Sequence, residues 1–334
     1  MIKIMDCTLR DGANVVGKGF DARMTKMMLE GLISCNVPII EMGNCLGIGA
    51  YEADQSIAPL TDEEYLKLVQ PYLSQAEIGM FIGVKNVNEK NVELARKYGI
   101  NFLRVGANAG DGRLACEGIK RIKAAGLRCF YSMMKGYLLS ADDLAEEAKM
   151  LEDCGLDEIT IMDSAGTMTP DQVGEYVEKM VSQVKIPVAF HGHNNLGLSV
   201  ANAMAAQKAG AQILDCGLMG MARSAGNCAT ELAVAVFERA GLLSGVDLMT
   251  LLHFIDRELG PAMEEYGYHV PVKPLDLVYG ISGCHSSFAR LFKEVAEEKQ
   301  VDLYLLIIEV SKINQKNPDR ELIEQTAERL KKGE

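Results

Sequence analysis

The sequence predicts a (β/α)8 barrel followed by a helical C-terminal extension, and three observations support this fold class. Eight short apolar segments recur along the chain up to about residue 216, and parallel strands covered on both faces read as such runs. Helical stretches between them end in glycine, which takes up the left-handed conformation after a helix without strain. These glycines follow one another at intervals of about 27–29 residues, or twice that, at Gly99, Gly126, Gly155 and Gly210.

The third observation concerns the competing architecture, a doubly wound open sheet. That fold usually carries a Gly-rich phosphate loop after its first strand, whereas residues 8–12 read Thr-Leu-Arg-Asp-Gly. The predicted strands are Lys3–Cys7, Ile39–Met42, Ile78–Ile82, Phe102–Val105, Cys129–Met133, Glu158–Met162, Val188–Phe190 and Ile213–Cys216. Helices are predicted between them at Thr61–Leu73, Glu89–Tyr98, Ala141–Cys154 and Pro170–Val184. Thr61 and Glu64 form a capping-box pattern at the start of the first of these helices.

The alternation of strand and helix stops near Ser244, which divides the chain into two predicted domains. Residues 1–243 form the barrel, and residues 244–334 form the helical extension. Helices are predicted in the extension at Leu248–Leu259, Ser286–Glu298, Leu303–Ile313 and Glu321–Lys331.

Composition excludes several classes of protein. The formal net charge of −12 argues against general nucleic-acid binding, which needs a basic surface. No apolar stretch approaches the roughly 18 residues of a membrane span, and no signal peptide is recognisable, so we expect a cytoplasmic protein. The nine cysteines are scattered without a C-x-x-C pair, and we expect buried small side chains rather than a disulfide framework.

Polar residues cluster where the predicted strands end, the face of a (β/α)8 barrel that carries chemistry. His191 and His193 stand two apart on a strand, so their imidazoles point the same way and can chelate one divalent ion. Asp11, after the first strand, is the expected third ligand. The alternative is a pair of hydrogen-bonded histidines without a metal. A mixed nitrogen and oxygen set does not choose firmly among Mg²⁺, Mn²⁺ and Zn²⁺.

Arg10 precedes the expected ligand Asp11. A guanidinium beside a bound metal can hold a carboxylate or stabilise a developing enolate. The alternative is a structural ion pair with Asp6 or Glu41.

These motifs resemble those of the metal-dependent aldolase, lyase and synthase superfamily, which includes 3-hydroxy-3-methylglutaryl-CoA lyase and isopropylmalate synthase. The resemblance rests on residues 6–12, on His191-x-His193-Asn194 and on Gly226-Asn227. Residues 193–202 and 279–288 look most like the 4-hydroxy-2-oxovalerate aldolases. The resemblance covers nearly the whole chain.

The resemblance implies that Asp11, His191 and His193 hold a divalent metal, typically Mn²⁺ or Mg²⁺, that binds a 2-oxo acid. It implies that Arg10 neutralises the pyruvate enolate and that Ser164 contacts the substrate, although Ser164 could instead cap the following helix. Asn227 corresponds to a metal ligand or a neighbour of one in the lyase and synthase branches. The implied reaction is retro-aldol cleavage of a 4-hydroxy-2-oxo acid, with the metal as Lewis acid.

The sequence departs from the aldolases at three positions. Asn14 replaces the histidine that acts as their general base, and an amide cannot take up a proton. His285 replaces a tyrosine, so we predict that His285 transfers the proton, the alternative being that it only replaces a hydrogen-bonding group. Arg223 lies in a loop that is Gly- and Ala-rich in the aldolases, and it either binds an additional anion of the substrate or is a solvated surface residue.

Two other functions compete with the aldolase. One is an acyl-CoA lyase or a Claisen-condensing synthase. Those branches carry an acidic or bulkier residue and then Gln at these two positions, so Ala13 and Asn14 match them only in the side-chain amide of Asn14. The other is a non-catalytic interaction subunit. The presence of all three expected metal ligands argues against this alternative. In the family, the aldolase pairs through its helical tail with an acylating aldehyde dehydrogenase, and residues 275–334 resemble that tail. We therefore expect such a partner, and also a homo-oligomer.

Overall fold

The computed structural model describes residues 2–53, 58–242, 244–268 and 274–332. Eight parallel strands close into a barrel in chain order, and the last pairs with the first, so the predicted (β/α)8 fold is confirmed. The strands are β1 Lys3–Asp6, β2 Ile39–Met42, β3 Glu77–Gly83, β4 Phe102–Asn108, β5 Arg128–Met134, β6 Glu158–Asp163, β7 Val188–Gly192 and β8 Ile213–Cys216.

Helices surround this barrel and continue beyond it. Those that accompany the barrel are α1 Ala22–Ser34, α2 Ala50–Ala53, α3 Asp62–Val69, α4 Glu89–Tyr98, α5 Cys116–Ala124, α6 Ala141–Asp153, α7 Pro170–Gln183, α8 Ser199–Lys208 and α9 Thr230–Arg239. The extension contains α10 Leu248–Phe254, α11 Gly260–Glu264, α12 Pro274–Ser282, α13 Ala289–Lys299, α14 Leu303–Ile313 and α15 Arg320–Lys332. A π-helical turn, Ile255–Leu259, joins α10 to α11.

The signals that predicted these elements act as expected. Thr61 and Glu64 form both bonds of a capping box at the start of α3. Gly99, Gly126, Gly155 and Gly210 all have φ between 72° and 109°, a region that favours glycine. Each of them therefore ends a helix and turns the chain back toward the next strand.

The extension is helical, as predicted, but its packing is divided. Leu251 of α10 and Met263 of α11 belong to the same apolar core as the barrel. A second core forms among α12 to α15, around Phe292, Leu306 and Ile323. The division at residues 243 and 244 remains a prediction, and residue 243 lies outside the described residues.

Seven cysteines are buried with free thiols, as the sequence predicts for most of them. A disulfide joins Cys116 at the start of α5 to Cys154 after α6, which corrects the expectation of unpaired thiols for these two residues. They stand 38 residues apart, and only the packing of the two helices brings them together. None of the helices in the described part of the chain is long and apolar enough to cross a membrane.

Candidate metal centre and active site

The loops after β1 and β8 are joined to each other at the barrel mouth. The buried carboxylate of Asp6 accepts hydrogen bonds from the Thr8 amide at 2.9 Å and from the Thr230 hydroxyl at 2.7 Å. The Thr8 hydroxyl in turn accepts one from the Leu218 amide at 2.7 Å. These contacts fix the turn that carries Arg10 and Asp11.

The three predicted metal ligands come together at this mouth. The Asp11 Oδ2 atom lies 3.6 Å from Nε2 of His191 and 3.9 Å from Nε2 of His193. One ligand atom from each residue falls within 4.8 Å of the other two, and all three residues are buried. The two imidazoles project from the end of β7 toward the same side, with their ring centroids 5.2 Å apart.

The chemistry of these donor atoms fits a divalent cation. Among the residues that the structure describes, Nε2 of His191 and Oδ1 of Asn227 are buried without a hydrogen-bond partner. The Asn227 amide donates to Oδ2 of Asp11 at 2.9 Å, so its free oxygen lies beside the carboxylate. A cation held by this group would satisfy the unpaired nitrogen of His191. Burial lowers the pKa of His193 to about 3, so its imidazole is neutral, the form that binds metals.

Asp11 is ionised in this site. Burial on its own would raise the pKa of its carboxyl, but the charge of Arg10 and the hydrogen bond from Asn227 act against burial, and the pKa lies well below its ordinary value. Asn14 contributes to the position of Asp11, because its side-chain amide donates to the Asp11 carbonyl at 2.8 Å and to Oδ1 at 3.3 Å.

A second group, Cys7, His191 and Asp215, also has metal-ligand spacing. It is a poorer site for two reasons. Nδ1 of His191 already contacts Oδ2 of Asp215 at 3.0 Å, and burial raises the pKa of the Cys7 thiol well above its ordinary value. The bond to Asp215 places the His191 proton on Nδ1 and leaves the Nε2 lone pair directed at the first group.

Charged residues that the sequence analysis did not assign to the site line the barrel interior behind this group. Arg104 of β4 pairs with Asp215 of β8 and lies 3.7 Å from Glu41 of β2, and all three are fully buried. Glu41 also accepts a 2.6 Å hydrogen bond from Nε of Arg10. An interior ion-pair chain, defined as Arg10, Glu41, Arg104 and Asp215, thus connects the guanidinium at the cavity to His191. In the sequence, the signal for these residues was a charged side chain within a short apolar strand.

Arg10 forms a structural ion pair, the alternative that the sequence left open. It is paired with Glu41 and with Asp11, at 2.6 and 3.1 Å, rather than with Asp6. Its Nη2 atom nevertheless has no hydrogen-bond partner among the described residues. The ion pairs therefore fix the guanidinium while one donor remains available.

Ser164 lies near these groups at the end of β6. Its hydroxyl oxygen accepts a hydrogen bond from the Lys135 amide at 2.9 Å. The alternative of a helix cap does not apply, because Thr169 caps α7. Since the oxygen is the acceptor in that bond, the Ser164 hydroxyl hydrogen is available as a donor.

The C-terminal extension folds over the barrel mouth and brings His285 to the site. Gly280 of α12 approaches the loop after β7 so closely that a Cβ there would lie 2.9 Å from Cβ of Asn195. The Tyr137 hydroxyl, after β5, donates to the Gly283 carbonyl at 3.0 Å. The His285 ring centroid consequently lies 6.5 Å from that of His193.

The tautomer of His285 follows from its neighbour Ser287. The Ser287 amide, which can only donate, lies 3.1 Å from Nδ1 of His285, and the Ser287 hydroxyl lies 2.8 Å from the same atom. Nδ1 is therefore the acceptor and the neutral ring carries its proton on Nε2. Burial lowers the pKa of His285 to about 4, with Lys135 and Arg223 adding to the effect, so the ring is neutral near pH 7.

These residues surround a cavity of about 300 Å³. It is lined by Arg10, Asp11, Ser164, His191, His193, Arg223 and His285, together with apolar side chains that include Leu46, Phe81, Met134 and Met162. Asn14 and Asn227 are the predicted site residues that do not line it, and both contact Asp11. The structure thus gathers every residue that the sequence singled out.

The fold and the site define a (β/α)8-barrel protein with a candidate metal centre at the carboxyl ends of its strands. Residues 1–256 match the HMGL-like family, and the chain belongs to that family, which confirms the resemblance noted in the sequence. A 4-hydroxy-2-oxovalerate aldolase from Carboxydothermus hydrogenoformans is 31% identical over 332 residues, covering 99% of this chain and 98% of its own.

Two solved structures show the same fold. The carboxyl transferase domain of Rhizobium etli pyruvate carboxylase superposes with a TM-score of 0.81 at 14% identity, over 99% of this chain and 60% of that one. The Bacillus subtilis HMG-CoA lyase superposes with a TM-score of 0.66 at 18% identity, over 83% of this chain and 97% of that one. The first of these similarities extends through the helical extension.

Proposed function

We propose that the protein is a divalent-metal-dependent aldolase that cleaves a 4-hydroxy-2-oxo acid into pyruvate, or a related 2-oxo acid, and an aldehyde. One observation carries the proposal: the unpaired Nε2 of His191 lies beside Asp11 and His193 in a cavity where Arg10 also presents a free donor. The name of the relative that is 31% identical over 99% of this chain supports the same reaction. We propose Mn²⁺ or Mg²⁺ as the metal, with Zn²⁺ as the third candidate.

The metal, held by Asp11, His191 and His193, would polarise the 2-oxo group as a Lewis acid. The bond between C3 and C4 of the substrate breaks, and its electron pair passes to the enolate of the 2-oxo acid. The C4 hydroxyl gives its proton to solvent water as the aldehyde forms, and C3 then takes up one proton from water, so that the two products together contain the atoms of the substrate. Arg10 stabilises the negative charge that develops on the enolate oxygen, through the unpaired Nη2 group of its guanidinium. The ion pairs of Arg10 keep that donor in place before the substrate arrives.

His285 and Ser164 face the reacting end of the substrate. We propose that the Nε2–H of His285 donates a hydrogen bond to the C4 oxygen, because Nδ1 is occupied by Ser287. This is the function that a tyrosine hydroxyl would serve. The role of His285 as the proton-transfer group remains a prediction. Proton uptake at Nδ1 would require the hydrogen bond from the Ser287 amide to break. Ser164 would donate its hydroxyl hydrogen to the substrate.

A coupled assay tests the function. Metal-free protein is supplied with Mn²⁺, Mg²⁺ or Zn²⁺ and with 4-hydroxy-2-oxovalerate, and pyruvate release is followed through lactate dehydrogenase and NADH oxidation. We expect release that depends on the metal. Release of acetyl-CoA or free CoA from an acyl-CoA substrate, without pyruvate release, would instead favour the acyl-CoA lyase or synthase. Absence of turnover on every substrate would favour the interaction subunit.

A homo-oligomer and an acylating aldehyde dehydrogenase partner stay predictions. The self-contained core of α12 to α15 supports a docking role for this segment, since it packs separately from the barrel core. Co-expression with such a dehydrogenase, followed by size-exclusion chromatography, tests the partner. Elution of this chain at the same volume with and without the dehydrogenase would contradict it.

A further inference from the structure

Arg223 is a half-buried cation that lines the cavity and has no ion-pair partner within the described ranges. The other arginine of the cavity, Arg10, is balanced by Glu41 and Asp11. Arg223 lies near enough to His285 to influence the charge on that ring. Among the described residues that line the cavity, Arg223 is therefore the cation without an acidic partner, and it lies on the side where His285 of the extension covers the cavity.

The backbone that carries Arg223 is fixed to the metal site. The Arg223 carbonyl accepts a hydrogen bond from the Gly226 amide at 3.1 Å, which closes a tight turn. Ser224, within that turn, has a φ of 58°, a strained conformation for a residue with a side chain. The Asn195 side-chain amide donates to the Ser224 hydroxyl at 2.8 Å and so holds the turn to the loop after β7. The turn leads directly to Asn227, which bonds Asp11.

The long-range charge of the protein makes this local cation informative. A net charge of −12 repels anions from the surface, so an anionic substrate needs a fixed positive group inside the site. The carboxylate next to the 2-oxo group would be bound by the metal, and Arg10 is assigned to the enolate oxygen. Arg223 can recognise a second anion at the other end of the substrate, because a guanidinium binds carboxylate or phosphate through two parallel hydrogen bonds.

We propose that the natural substrate is a 4-hydroxy-2-oxo acid whose aldehyde end carries a second anionic group, a carboxylate or a phosphate, that pairs with Arg223. This inference rests on the proposed aldolase function and specifies its substrate class. The reaction needs no further reactant: cleavage between C3 and C4 yields the 2-oxo acid and an aldehyde that retains the anionic group.

Cleavage of three substrates tests the inference in the metal-loaded protein. One ends in methyl (4-hydroxy-2-oxovalerate), one in a carboxylate (4-hydroxy-2-oxoadipate) and one in a phosphate at the same chain length. We expect kcat/KM to be about 10- to 100-fold higher for one anionic substrate than for the methyl-ended one, the range expected for a charge-assisted hydrogen bond. The preferred anionic substrate identifies carboxylate or phosphate as the recognised group.

The variant Arg223→Met removes the charge and keeps the length of the side chain. It should lower the ratio of kcat/KM between anionic and methyl-ended substrates by the same 10- to 100-fold, and Arg223→Lys should restore part of that ratio. Arg113→Met is the matched control, since Arg113 is exposed in the turn before α5 and outside the cavity, and it should leave the ratio unchanged. Circular dichroism and metal content verify that each variant is folded and loaded.

Three outcomes are informative. A ratio that favours the anionic substrate and falls in Arg223→Met supports the inference. Cleavage of the methyl-ended substrate at least as fast as the anionic ones, with the ratio unchanged in Arg223→Met, overturns the inference but leaves the aldolase function intact. No cleavage of any of the three substrates overturns both.

Discussion

Replacing Asp215 by Asn should weaken the candidate metal centre without touching a ligand. Asp215 accepts the Nδ1 proton of His191 at 3.0 Å and pairs with Arg104 in the barrel interior. The amide keeps the shape of the side chain but loses the charge. His191 is then less firmly held in the tautomer and ring orientation that direct Nε2 at the metal.

The structure sets the size of the effect. Loss of such a supporting carboxylate typically weakens metal binding about 10- to 100-fold. The same change leaves Arg104 with Glu41 alone, at 3.7 Å, and Glu41 is already engaged by Arg10. Removing one partner of a buried ion pair costs about 3–5 kcal/mol, so we expect metal-free Asp215→Asn to be less stable by about 3 kcal/mol, since the amide oxygen still accepts from His191.

Calorimetric Mn²⁺ titration and urea unfolding of the metal-free protein measure the two effects. Glu158→Gln is the matched control: Glu158 is also buried in the barrel, but burial raises its pKa to about 8, so it is protonated at pH 7 and the amide changes little. The control should bind Mn²⁺ like the parent. Parent-like affinity and stability in Asp215→Asn would refute the role assigned to the interior ion-pair chain.

Three further predictions concern the site itself. Replacing His191 and His193 together by Ala should remove the bound ion and abolish pyruvate release while circular dichroism still shows the barrel; stoichiometric metal in this variant, by elemental analysis, would contradict the assigned ligands. Arg10→Lys should lower kcat roughly 10²-fold or more, since loss of one transition-state donor costs about 3 kcal/mol, whereas an unchanged kcat would leave Arg10 a purely structural role. His285→Phe should lose activity that His285→Tyr restores, because tyrosine also donates a hydrogen bond. With a pKa of about 4 in the folded protein, His285 stays neutral as pH falls to about 4, and any acidic limb due to it lies there. A limb near pH 6.5 that disappears in both variants, without rescue by Tyr, would identify His285 as the proton acceptor instead.

The strands could be predicted closely because each is a local apolar run. Ile39–Met42 and Ile213–Cys216 have the predicted bounds. β4 extends to Asn108 rather than Val105, because Gly106, Ala107 and Asn108 carry no strand signal of their own and are held by pairing with β5. Local composition therefore predicts the start of a strand more reliably than its end, which depends on pairing with the neighbouring strand.

The candidate metal ligands could be predicted because their spacing in the sequence determines which way their side chains point. His191 and His193 face one way on a strand, and a carboxylate follows the first strand. The partners of Arg104 and Asp215 could not be predicted, since pairing across the barrel depends on which strands face each other over a separation of 111 residues. The tautomer of His285 likewise depends on the Ser287 amide, a contact set by backbone conformation rather than by residue type.

The interior ion-pair chain also restricts how this sequence can change over evolutionary time. Arg10, Glu41, Arg104 and Asp215 come from four separate parts of the chain, yet each neutralises a neighbour that has no access to water. A single replacement leaves a buried charge without its partner. Simultaneous exchange of Arg104 and Asp215 for apolar side chains removes both charges of one pair and leaves Glu41 paired with Arg10. Descendants of this protein should therefore change these positions together or keep all four, so that paired substitution among relatives becomes a signature of this barrel interior.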